Sequence, residues 1–214
     1  MQGRYNRHSL KVLVPPTGSI VSVADMADYL VLSPGQDIAL VQSFIAAATD
    51  AMGRYLRVSL QTQTLRLIKD GFVIGGDEAL LRLGPGVHTA SVSYILGGAD
   101  YIDLPRGPVQ SVAQIVTFNR ANQSAVFDPS LYQIDASGER IYLNEGASWP
   151  DNLRAFAAVQ VDYVAGYTSV PQAIIQGIKQ HVSAMYECRS ACDMPKAVQG
   201  IVESYRRFDE LGWR

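Results

Sequence analysis

Apolar positions along this chain follow two periods, and the period changes twice. Between residues 22 and 56 the spacing is helical. Val23, Met26, Ala27 and Leu30 share one face of a short segment, and Val41, Phe44, Ile45, Ala48, Met52 and Tyr55 form a longer stripe, from Asp37 to Leu56. Ser22, with Asp25 three residues on, reads as an N-terminal capping pair, and Ser33-Pro34-Gly35 separates the two helices. The small residues Ala46, Ala47, Ala48, Ala51 and Gly53 point to close helix packing, the reason expected for a glycine inside the second helix. From Ser59 the period becomes two: Leu60, Thr62, Thr64 and Arg66 alternate with Gln61, Gln63, Leu65 and Leu67. Further strands are expected at Leu80–Leu83, Thr89–Leu96, Val112–Phe118, Leu131–Asp135, Arg140–Leu143 and Val159–Val164, divided by turns such as Gly97-Gly98, Arg106-Gly107-Pro108, Asp128-Pro129 and Ser137-Gly138. Gly166 ends the last strand and the helical period returns. Ser169 is placed to cap this helix and Pro171 suits its first turn. Ile174, Ile175, Ile178, Val182, Met185 and Tyr186 then share a face, and after Met194-Pro195 so do Val198, Ile201, Val202 and Tyr205.

The order of elements predicts an α+β protein. Helices from 22–58 and 166–203 form one bundle, and an antiparallel sandwich- or barrel-like module, 59–165, is inserted in it. Residues 1–21 read as an extended basic arm and 204–214 as a C-terminal tail.

Hydrophobic residues make up 48% and charged residues 18% of the 214 residues, enough apolar content for a real core. The net charge of −2 argues against holding nucleic acid by bulk charge. The N-terminus lacks the apolar core of a signal peptide, and no run approaches the roughly 20 apolar residues that span a bilayer, so cytoplasmic synthesis and no membrane partner are expected.

Candidate chemistry is sparse. His181, Cys188 and Cys192 would share one helical face, but a zinc site usually needs four ligands, and His8 and His88 are distant in sequence. Packing roles for the thiols and the imidazole are the stronger reading. Gly-x-Ser-x-Gly, His-Glu-x-x-His and the phosphate-cradling Gly-x-x-x-x-Gly-Lys-Ser/Thr are all missing, so no catalytic residue, metal or cofactor is assigned. Asp100, Asp103 and Arg106 read as a solvated loop cluster. A sheet face with Tyr94, Tyr101 and Tyr132 leaves open a carbohydrate- or peptide-binding module. The tail is more informative: Tyr205, Arg206, Arg207, Phe208, Leu211, Trp213 and Arg214 are of the types that dominate protein–protein hot spots. Such a segment either folds back on its own bundle or binds a partner. Asp209 and Glu210 among the arginines weaken a nucleic-acid reading.

Several strings, in order, resemble the head-tail connector (adaptor) proteins of long-tailed phages and gene transfer agents. They are Val23-Ala24-Asp25-Met26-Ala27-Asp28-Tyr29-Leu30, the helix Asp37 to Tyr55, Gln63-Thr64, and Leu104-Pro105-Arg106-Gly107-Pro108-Val109-Gln110-Ser111-Val112. They continue with Phe127-Asp128-Pro129-Ser130-Leu131-Tyr132, Gly146-Ala147-Ser148-Trp149-Pro150, Val164-Ala165-Gly166-Tyr167, and Met194-Pro195-Lys196-Ala197-Val198 leading to Tyr205-Arg206. The family often carries Thr-Gly-Arg after the second helix, where this chain has Leu56-Arg57. The resemblance implies a non-enzymatic ring, usually of twelve subunits, in the virion neck. Such a ring docks under the portal protein, extends the channel for double-stranded DNA and presents a surface to stopper or tail-terminator proteins. In that setting the tail residues Tyr205 to Arg207, Phe208, Leu211, Trp213 and Arg214 are the expected portal anchor, and removing residues 204–214 is expected to leave the fold intact. Arg4, Tyr5, Arg7, Leu13, Val14, His181 and Tyr186 are the expected contacts between subunits.

Overall fold

The computed structural model describes residues 8–71, 101–135, 137–190 and 192–207. The chain divides into two compact units, Met1–Pro15 with Gln63–Ala165, and Pro16–Thr62 with Gly166–Arg214.

The second of these is helical: α1 (Val23–Tyr29), α2 (Ile38–Leu56), α3 (Gln172–Cys188) and α4 (Lys196–Val202). Ser22 caps α1 as its sequence predicts, its hydroxyl oxygen accepting the Asp25 N–H at 3.0 Å. The Asp25 carboxylate does not complete the box but meets Lys179 Nζ at 3.1 Å. The predicted stripes pack together: Val41, Phe44, Ile45, Ala48, Met52 and Leu56 from α2 against Ile174, Ile178, Val182 and Met185 from α3 and Val198 and Val202 from α4. Each side chain fully buried there contributes about 1.5–3 kcal/mol relative to exposure. That burial holds α1 and α4, which at 7 residues each are too short to persist alone. Close packing falls on Gly177, not Gly53. A Cβ at Gly177 would lie 3.0 Å from Met52 Cε and 3.1–3.2 Å from Val202 and Val198, whereas at Gly53 the nearest atom is at an ordinary 3.5 Å. Two local expectations also change. Pro171, not Ser169, takes the N-cap position of α3, with no side-chain cap bond. Ile201 is 42% exposed, so the inner face of α4 is Val198 and Val202.

The other unit is built of strands β1 (His8–Val14), β2 (Gln63–Lys69), β3 (Tyr101–Asp103), β4 (Val109–Phe118), β5 (Ser124–Val126), β6 (Tyr132–Ile134), β7 (Arg140–Leu143) and β8 (Val159–Ala165). They form a five-stranded sheet, β1-β2-β8-β4-β5, and a three-stranded sheet, β3-β7-β6. Among the described residues every pairing is antiparallel. Alternation sends Leu65 and Leu67 of β2, Ile115 of β4, and Val161 and Tyr163 of β8 into a core shared with Ile102 and Ile141 of the smaller sheet. The class is therefore α+β, with an antiparallel sandwich.

The sandwich draws on the N-terminal stretch as well. Residues 8–14, expected within an extended arm, form an edge strand, with Leu10 opposite Leu67, Lys11 opposite Arg66 and Val12 opposite Leu65, and the register shifts before Val14. Strands β3 and β5, 3 residues each, are too short for a period to declare itself. The expected strands Leu80–Leu83 and Thr89–Leu96 lie outside the described residues.

Candidate assembly surfaces

The start of the expected tail is tied down. Tyr205 packs against the helical core. The Tyr55 hydroxyl donates a short hydrogen bond to Glu203 Oε2, and this bond raises the phenol's pKa above its ordinary value. Arg206 pairs with Glu203 at 3.4 Å and lies over the Tyr55 ring, 5.0 Å from its centroid. The Arg207 N–H donates to the Leu56 carbonyl at 3.0 Å, just where α2 ends. Residues 204–207 thus belong to the bundle, and their removal would break these contacts. Phe208, Leu211, Trp213 and Arg214 lie outside the described residues.

The residues expected between subunits separate into three groups. Arg4, Tyr5 and Arg7 lie outside the described residues. Leu13 and Val14 stand exposed on β1. His181 and Tyr186 serve their own unit. His181 is 2% exposed, its Nε2 3.1 Å from the Cys192 carbonyl oxygen, so it offers no surface to a neighbour. Its position explains this: it lies three residues after Ile178 and four before Met185, on the buried stripe of α3. The Tyr186 hydroxyl donates to Asp37 Oδ2 at 2.7 Å, which raises its pKa and fastens the end of α3 to the start of α2. Cys188 is exposed and Cys192 half-buried, and among the described residues no three His, Cys, Asp or Glu side chains are grouped to hold a metal.

In the sandwich a polar cluster sits on the outer face of the five-stranded sheet. Arg66 Nε and Nη2 donate to the two Asp162 carboxylate oxygens at 2.6 and 2.7 Å, and Gln114 Nε2 adds a third bond at 2.9 Å. The Arg66 hydrogen bonds, opposed by desolvation, hold the Asp162 carboxyl below its usual range. The sign follows. Below about pH 4 the unfolded chain binds a proton on this aspartate while the folded chain keeps it ionised. The stabilisation is therefore complete above that value and is lost as pH falls through the depressed folded one. Asp162→Asn should lower stability by about 1–2 kcal/mol at pH 7, and the deficit should shrink at pH 3, as urea melts of both chains at each pH would read.

Elsewhere in this unit, burial lowers the pKa of Lys69, an effect that Asp103 opposes. Asp103 accepts from Arg140 Nε at 3.0 Å, and Arg140 lies 4.6 Å from the centroid of the Tyr101 ring. Tyr101 in turn packs on Tyr142 at 5.6 Å between ring centroids. Tyr132 stacks on Phe127 at 6.1 Å, and burial raises its pKa. The two described tyrosines of the candidate ligand face are thus engaged in internal packing, and Tyr94 lies outside the described residues. Among the described residues no helix is long and apolar enough to cross a membrane.

No protein-family model matches the sequence, and no curated protein matches it in sequence. Solved structures do. A chain from the neck of the empty gene transfer agent particle, computed with C6 symmetry, superposes with a TM-score of 0.69 at 20% identity, covering 96% of this chain and 99% of that one. A chain from the virion of the native gene transfer agent particle gives 0.67 at 19% identity, covering 95% and 98%. A chain from the neck of the native particle, computed with C12 symmetry, gives 0.65 at 21%, covering 96% and 99%. At these identities the likeness is one of fold, and over nearly its whole length this α+β chain is similar in fold to a chain found in gene transfer agent necks.

Proposed function

We propose that this chain is a structural head-tail connector subunit of a tailed phage or gene transfer agent. In this reading it forms a ring of twelve in the virion neck, docks under the portal, continues the DNA channel and presents a landing surface to stopper or tail-terminator proteins. The observation that carries the reading is the extent of the fold likeness. It runs through both units, over 96% of this chain and 99% of a gene transfer agent neck chain, rather than through one common module. The cyclic symmetries of the neck structures, C6 and C12, support a ring. A ring of this kind needs two different faces on each subunit. The role asks for no catalysis and no cofactor, and a net charge of −2 suits a wall past which DNA must slide. Phe208, Leu211, Trp213 and Arg214 are the proposed portal anchor, rooted by the ties at Tyr205 to Arg207. Arg4, Tyr5, Arg7, Leu13 and Val14 are the proposed contacts with a neighbouring subunit.

Gold labelling of an affinity-tagged copy in purified particles tests the reading. Label at the head-tail junction is the expected result. Label over the head surface, or particles without the tagged chain, would contradict it.

A further inference from the structure

Strand β1 stands at one end of the five-stranded sheet, and Val12, Leu13 and Val14 on it are 55%, 42% and 55% exposed. Soluble proteins usually guard such an edge with charges, proline or brevity. Here a strand of 7 residues carries a single lysine, Lys11, and one irregularity, the register shift between Val12 and Val14, and Pro15 and Pro16 come only after its end. At the opposite end of the same sheet lies β5, with all 3 residues exposed and Val126 at 63%. Among the described residues neither edge has a further strand beside it.

Strand direction says what can cover these edges. Each neighbour in the sheet is antiparallel, so β1, β8 and β5 run one way and β2 and β4 the other. A cyclic operator of a sixth or a twelfth of a turn does not reverse a strand. Where such an operator sets β5 of one copy beside β1 of the next, the two run the same way, an allowed parallel pairing. Pairing β1 with β1 needs a two-fold axis, which closes after two copies and makes no ring. We infer that the β1 edge of each copy is completed by β5 of its neighbour, so that the five-stranded sheets join around the ring. This rests on the ring reading above and names the occupant of the exposed edge: a second copy of this chain, through its Ser124–Val126 strand.

The test uses assembled particles. The chain carries Leu13→Cys and Ala125→Cys with Cys188→Ser and Cys192→Ser, and is treated with a short bismaleimide and run on a denaturing gel. The expected result is a ladder reaching the full copy number of the ring, with each single-site variant remaining monomeric. Dimers from Leu13→Cys alone, or a monomeric double variant in particles that contain the chain, would overturn the inference. Loss of the wild-type chain from particles would instead overturn the connector reading beneath it. A second variant avoids the cysteine changes altogether. Val12→Lys with Val14→Lys should keep the circular dichroism and melting of the wild-type chain while its incorporation falls about tenfold. Unchanged incorporation would also overturn the inference.

Discussion

Gly166→Ala should lower the melting temperature by about 10 °C, the largest loss expected of an added methyl group at any of the described glycines. Gly166 has φ +133, a conformation that residues with a side chain rarely adopt, and an added Cβ would lie 2.2 Å from the Gln61 carbonyl oxygen and 2.6 Å from the Thr62 nitrogen. Both are backbone atoms and cannot turn aside as a side-chain tip can. Left-region strain costs about 1–3 kcal/mol and overpacking about as much again, together roughly 2–6 kcal/mol. Gly200→Ala is the control: nothing lies within 4 Å of its added Cβ, it sits in helix α4, and alanine there should stabilise by up to about 1 kcal/mol. Thermal melts of the two variants beside the parent read both outcomes, and a Gly166→Ala chain as stable as the parent would contradict the close approach.

Deleting residues 208–214 should abolish docking on the portal while the fold is kept. The cut falls after the Arg207 N–H bond to Leu56 and the Arg206 contacts with Tyr55 and Glu203, so the bundle retains its ties. It removes Phe208, Leu211, Trp213 and Arg214, the aromatic and arginine groups proposed to anchor the chain. Losing several anchors of about 2 kcal/mol each would weaken docking by a factor of a thousand or more. Cutting at 204 would confound this, because it also takes the internal ties. Parent-like melting with no portal binding is the expected pair of results, and normal docking by the shortened chain would end the anchor assignment.

What the sequence made legible depended on how long each pattern ran. Helices α2 and α3 were readable because their apolar stripes repeat over several turns, and the burial of His181 follows from its place on the stripe once it is counted as a helical position. β8 was readable because Val159, Val161 and Tyr163 keep the period of two beside a glycine stop. β1 carried the same signal, Leu10 and Val12 alternating with Ser9 and Lys11, but the basic residues before it and Pro15-Pro16 after it favoured an arm. β3 and β5 were invisible because their pairing with β7 and β4 is a tertiary fact that 3 residues cannot announce. The turn after α2 is instructive too. Arg57 adopts φ +58, a conformation that favours glycine, and its N–H still reaches the Gly53 carbonyl. A side chain there costs about 1–2 kcal/mol, which the burial of Leu56 and Val58 on either side offsets. The proposed assembly surfaces rest on residue types, but the role of each residue depends on what lies next to it, and composition does not carry that.

The proposed role is that of a connector that docks on a portal. Mass photometry of the purified chain, alone and mixed with the portal protein encoded near it, tests this most directly. A complex with equal numbers of connector and portal subunits is the expected result. A chain whose mass is the same with and without that portal, at every mixing ratio, would contradict it.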